Sequence, residues 1–299
     1  MKPNSFSANV ALKNGIALFV IVLCSWTSVL SKSHLYASGY DENQNSELYR
    51  INVNTGAAKA LGVTGQADLI SESGLAFDTH HRILYATGFT LTNPLPNGNP
   101  RSALYTLDVK TGLASLVGNG QPVFPEIILW GGGLAYDSNH DVLFATGISS
   151  FGFVVRDSLF IVNPSTGIAR EIGPSSNGPP EYDLSGGDLA YDPVNDVLYA
   201  TGFANVEGPS ALFIVNPETG EALPVGYQEP DAFLGFGGLE FDPSTGLLYA
   251  TGYDRTKPFA ETFLYVVDPT TGSAKKIGRT GNGVQLFGGL ALVPPGKAD

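Results

Sequence analysis

Residues 185–202 read SGGDLAYDPVNDVLYATG. The run divides into LAYD, a DPVND segment and VLYATG. Asp can bond its own backbone and Pro presets φ, so DPVND has the chemistry of a tight turn. The flanking pieces alternate apolar and small residues with a period of two, which predicts two strands joined as a hairpin.

The same words recur along the chain. LYASG at 35 returns as LYATG at 84, LFATG at 143, and LYATG at 198 and 248. A second motif appears as LYRINVNTG at 48, LYTLDVKTG at 104, LFIVNPSTG at 159, LFIVNPETG at 212 and LYVVDPTTG at 264. A third follows as AAKALG at 57, LASLVG at 113, IAREIG at 168, EALPVG at 221 and SAKKIG at 273. The fourth is SGLAFD at 73, GGLAYD at 132, GDLAYD at 187, GGLEFD at 237 and GGLALV at 288. Four strand motifs with a period of 49 to 59 residues predict an all-β, five-bladed β-propeller with four antiparallel strands per blade. The first LYASG has no inner-strand motif before it, and the last GGLALV has no blade after it. Closing the ring pairs these two, so the C-terminal strand completes the first blade and no half-blade keeps a bare edge.

The order LYATG, then LFIVNPETG, resembles kelch-type repeats and the YVTN-type and quinoprotein-type repeats of exported bacterial proteins, across nearly all of 34–294. The resemblance implies the propeller fold. The tryptophans typical of kelch and quinoprotein repeats are not matched, because Trp130 stands in neither position, and no quinone cofactor is implied.

Outside the repeat, residues 1–33 combine a basic start, an apolar run at 16–24 and small residues at 29–33, the order of a secretory signal peptide. The apolar run is short for a membrane span. The expected organisation is therefore signal peptide 1–33, propeller 34–294 and tail 295–299, placing the protein in the periplasm, at the cell surface or outside the cell. Without 1–33 the chain has 13 basic and 28 acidic residues, a net charge of −15, which disfavours nucleic acid as a partner. Cys24 is the only cysteine, so disulfides, thiol catalysis and cysteine-ligated metals are excluded from the mature chain. A monomer with no stable membrane span is expected.

In a propeller the first-to-second and third-to-fourth strand turns lie on one face, and here they are short and alike. The other face carries long, dissimilar loops at 89–102, 119–131, 174–186 and 227–237. These gather Trp130, Tyr182, Phe233 and Phe236 with Glu126, Glu181, Asp183 and Asp231, a composition suited to a carbohydrate, peptide or protein ligand. That pattern predicts a non-catalytic binding module working through the variable loops. The histidines His80, His81 and His140 fall in the short turns and read as solvated turn residues.

One strand pattern stands apart. Along the inner strands one face carries Gly74, Gly133, Asp188, Gly238 and Gly289, then Ala76, Ala135, Ala190, Glu240 and Ala291 two residues on. Asp188 and Glu240 break a rule of small residues near the axis, and Glu72 shares their parity. Buried acids need water, a partner or a cation. Three explanations are open: a hydrated channel, a Ca²⁺ or similar hard-cation site formed by Asp188, Glu240 and Glu72, or catalytic carboxyls. The last defines the alternative function, a carbohydrate-active hydrolase or lyase using Asp188 and Glu240.

Overall fold

The computed structural model describes residues 33–65, 74–91, 94–96, 98, 100–122, 126–129, 131–151, 154–175, 182–184, 186–203, 209–227, 232–257, 261–281, 284–286 and 288–295. Glu72, Trp130, Glu181 and Asp231 fall outside them, as does the expected signal peptide up to residue 32. The described chain is all strand and turn, in five antiparallel sheets that form a five-bladed propeller.

Blade one is Leu75–Asp78, Ile83–Thr90, Arg101–Leu107 and Ala114–Val117; blade two is Leu134–Asp137, Val142–Phe151, Val154–Val162 and Ala169–Pro174. Blade three is Leu189–Asp192, Val197–Phe203, Ser210–Val215 and Ala222–Tyr227; blade four is Leu239–Asp242, Leu247–Asp254, Thr262–Val267 and Ala274–Arg279. Blade five joins the two ends of the chain. Leu290–Val293 pairs with His34–Tyr40, in the register Leu35 to Leu292 and Ala37 to Leu290, ahead of Ser46–Ile51 and Ala58–Val63. The closure expected from the phase of the repeat is the one observed.

The core is shared between blades rather than enclosed within them. Each of five apolar clusters spans two neighbours. Ala76, Tyr85 and Leu104 of blade one meet Leu134, Leu143 and Phe160 of blade two, and equivalent clusters continue round to blades five and one. A single blade has two faces to bury, so none is stable without its neighbours.

Two rings of close main-chain approach explain the repeated glycines. Near the axis, a Cβ on Gly74 would collide with Leu134 N, one on Gly133 with Leu189 N, one on Gly238 with Leu290 N, and one on Gly289 with Leu75 N. At the rim, the glycine of the third motif in each blade abuts a threonine carbonyl in the NPxTG-type turn of the next: Gly62 on Thr111, Gly118 on Thr166, Gly173 on Thr219, Gly226 on Thr271 and Gly278 on Thr55. Backbone packed this tightly leaves no space for a side chain.

The variable loops are more regular than their sequences. Glu126–Ile128 and Ala232–Phe233 add short strands beside the second strands of blades two and four, and Asp183 bridges Phe203 at the same place in blade three. Gln285 likewise bridges Tyr40 in blade five, and each of the four segments leads into a buried leucine, Leu129, Leu184, Leu234 or Leu286. Three of these leucines donate their N–H to a hydroxyl that opens a third strand: Leu129 to Ser102, Leu234 to Ser210 and Leu286 to Thr262.

Candidate functional site

The tightest point on the axis is the inner glycine ring, and one side chain occupies its centre. Asp188 is 2% exposed. Its Oδ1 accepts the N–H of Leu134 at 3.1 Å, and its Oδ2 accepts those of Leu239 at 2.8 Å and Leu290 at 3.1 Å. The Leu189 N–H of its own blade also bonds to it. A single carboxyl thus ties blade three to blades two, four and five. Burial pushes its pKa up to about 7, and the four main-chain donors pull against that rise.

Glu240 lies one layer further along the same strand face, towards the short turns. It lines an axial pocket of about 140 Å³ that opens among Thr79, Ser138, Pro193 and Pro243 on the turn face. Most of the side chain is enclosed by the blades, while part of it reaches this pocket. Burial raises its pKa well above the ordinary glutamate range, the Asp188 charge adds to the effect, and a bond from the Leu292 N–H opposes it. Both effects favour the protonated form of the carboxyl. Tyr136, Tyr191, Phe77 and Phe241 complete the walls of the pocket.

The surroundings of Glu240 show a paired exception. At four blade interfaces an alanine of one inner strand packs in the same cluster as an aromatic of the adjacent blade: Ala76 with Tyr136, Ala135 with Tyr191, Ala190 with Phe241, and Ala291 with Phe77. At the interface of blades four and five the alanine is Glu240 and the aromatic is Leu292. A longer residue on one side is matched by a shorter one on the other. Leu292 was legible as the one non-aromatic residue at its place in the repeat, although its meaning depends on which blades touch.

Glu72, the third residue of the expected cation site, lies outside the described residues. Among the described residues, the groups of three candidate ligands are Asp78, His81 and Asp141, and Asp137, His140 and Asp196, both at the short turns. In each, the histidine Nδ1 lies 2.8 Å from the aspartate that starts its own turn, and that aspartate also caps the turn backbone. The histidines are well exposed, and the aspartate hydrogen bond raises the pKa of each.

These shifts predict the pH dependence of stability. For Asp188 the folded value of about 7 lies above an unfolded value of about 4, so the folded chain binds more protons and stability falls as pH rises through that window. Glu240 acts in the same direction, and His81 and His140 lose their contributions as pH rises through their elevated values. Asp254 acts oppositely. Its Lys276 partner lowers its pKa to about 2, so its contribution is present above about pH 4 and lost as pH falls towards 2. Thermal melts at constant ionic strength should place the maximum Tm on the acid side of neutrality. A Tm that is flat or rising from pH 5 to 8 would contradict the assignment.

The loop residues expected to form a ligand face behave differently. Tyr182 packs on Phe213 with ring centroids 5.1 Å apart. Phe233 is buried among Phe203, Phe236 and Tyr253, with the Arg255 guanidinium 4.6 Å above its ring. Phe236 stays partly exposed, Asp183 forms its main-chain bridge, and Glu126 is exposed on its short strand. Tyr182 and Phe233 thus help seat their loops on the blades.

No protein-family model matches the chain, and no curated protein matches it in sequence. Solved structures do match. A gluconolactonase of Xanthomonas campestris is 12% identical over 83% of this chain and 77% of its own, with a TM-score of 0.46. The periplasmic gluconolactonase of Pseudomonas aeruginosa is 13% identical over 83% and 82%, at 0.42. An exo-β-1,3-galactanase of Clostridium thermocellum is 12% identical over 83% of this chain and 52% of its own, at 0.49. At these identities the likeness is one of propeller architecture. The expectation of a non-catalytic module on the variable loops is corrected here: Tyr182 and Phe233, assigned to its binding face, are used in packing.

Proposed function

We propose that this protein is an exported carbohydrate-active enzyme of the hydrolase or lyase class, working from the axial pocket on the turn face with Glu240 as its proton donor. The observation that carries the reading is Glu240 itself: a carboxyl in an alanine position, its protonated form favoured by burial, with an outlet to a pocket. Cleavage of a C–O bond in a sugar, by water or by elimination, leaves an oxygen that needs a proton. A carboxylic acid whose pKa is raised towards the working pH supplies one, at a gain of typically about 10²–10⁴-fold. Glu240 then becomes a carboxylate and regains its proton from solvent entering the pocket. Asp188 is a positioning residue: its bonds to blades two, four and five hold the strands that carry Glu240, and its charge opposes ionisation of Glu240. The similar structures named as gluconolactonases and a galactanase set the substrate panel, which is sugar lactones and galactans.

The test is turnover of that panel by the mature chain. Glu240→Gln keeps the shape of the side chain and removes the proton, so it is expected to lower kcat by about 10² or more. A panel turned over equally well by Glu240→Gln would remove Glu240 from the chemistry.

A further inference from the structure

A second cavity lies on the opposite face, between blades one and two. It holds about 380 Å³, with walls from Tyr40, Phe89, Leu95 and Ile127, and Arg101 and Glu126 among its lining. Arg101 opens the third strand of blade one. Its Nη1 reaches the Gln121 carbonyl at 3.4 Å, while its Nε is buried without a hydrogen-bond partner. Among the described residues Arg101 belongs to none of the ion pairs. The chain carries 28 acids and 16 bases, yet this guanidinium is partly withdrawn from water with no ion-pair partner among the described residues.

The floor is rigid. Gln121 is 1% exposed, its Nε2 donates to the Gly167 carbonyl at 2.6 Å, and its Oε1 accepts the Ala169 N–H at 2.9 Å, which clamps blade one to blade two. The Phe89 wall is held from behind by the Tyr105 hydroxyl, which donates to the Phe89 carbonyl at 3.0 Å. A planar cation with no ion-pair partner among the described residues, set beside apolar walls, complements a planar anion attached to an apolar or ring-shaped body.

We propose that this pocket binds a small organic carboxylate, with the carboxylate on Arg101 and the body against Phe89, Leu95 and Ile127. The site is separate from the axial pocket and does not depend on the chemistry assigned to Glu240. A sugar acid and a plain aliphatic acid share the recognised group, and the experiment separates them.

Ligand-observed NMR titrations of the mature chain would use galacturonate against galactose, and cyclohexanecarboxylate against cyclohexylmethanol. At least one acid is expected to bind at least about tenfold more tightly than its neutral counterpart, the range for a hydrogen bond to a charged group. The tighter of the two acids identifies the body. Arg101→Gln should remove that preference, Arg101→Lys should keep part of it, and Glu240→Gln should leave it intact. Equal binding of acid and neutral forms, absence of binding by both acids, or an unchanged preference in Arg101→Gln with Tm preserved would each overturn the proposal. If Arg101→Gln fails to fold, a preference that survives high salt unchanged overturns it instead.

Discussion

Asp188→Gly is expected to lower the unfolding free energy by about 3–5 kcal/mol, although glycine is the residue found at the equivalent place in the other four blades. The variant completes the inner ring of glycines and removes its only acceptor. The N–H groups of Leu134, Leu239 and Leu290 would be left facing the space vacated by the carboxyl, without their acceptor. Asp188→Asn should fall between the two, because its carbonyl can serve the donors on one side while its amide N–H₂ meets a donor on the other. Formate fits where the lost carboxylate stood. It should restore part of the stability of Asp188→Gly and none of that of the parent, since a ligand stabilises only a fold that binds it. Urea denaturation with and without formate reads all three outcomes. A glycine variant as stable as the parent would mean that the ring closes without an acceptor and that the acid is merely tolerated.

The second large effect concerns the interface of blades four and five. Glu240→Ala combined with Leu292→Phe recreates the alanine–aromatic pairing of the other four interfaces. It also removes a carboxyl whose burial costs free energy, so the double variant is expected to be more stable than the parent by about 1–3 kcal/mol. The single changes should behave differently. Glu240→Ala alone leaves unfilled volume, and Leu292→Phe alone forces a ring against the retained glutamate, at a cost of about 1–3 kcal/mol. The two changes should therefore be strongly non-additive, as expected for residues sharing one space. Together with loss of turnover, a more stable double variant would identify Glu240 as a residue retained at the expense of stability. A double variant less stable than either single one would refute the pairing.

Much of this was legible from the chain alone, and the parts that were not share one cause. LYATG, NPxTG and GGLAYD each specify a strand or a turn through residues a few places apart, and their phase specifies how the ring closes. The small-residue positions near the axis were visible as a pattern, and so were Asp188 and Glu240 as its exceptions. The loops misled because their sequences look dissimilar. Their shared leucines, Leu129, Leu184, Leu234 and Leu286, are one residue type among many until the structure shows each of them buried beside a second strand. Tyr182 and Phe233 have the composition of a ligand platform, and composition does not reveal that Phe213 and Phe203 already cover them. Arg101 carried no motif at all; only the fold partly encloses it with no ion-pair partner among the described residues.

Five copies of four strand motifs determined the architecture, because turn chemistry and alternation act over short distances. Which residues meet across blades was decided by the tertiary structure. The donors to Asp188 from other blades lie 54, 51 and 102 residues away from it in the chain. They converge because five inner strands pack about one axis to main-chain contact, which places amides from four of the blades next to the same point. The match of Glu240 to Leu292 arises in the same way, since neighbouring blades press their faces together and each longer side chain needs a shorter one opposite.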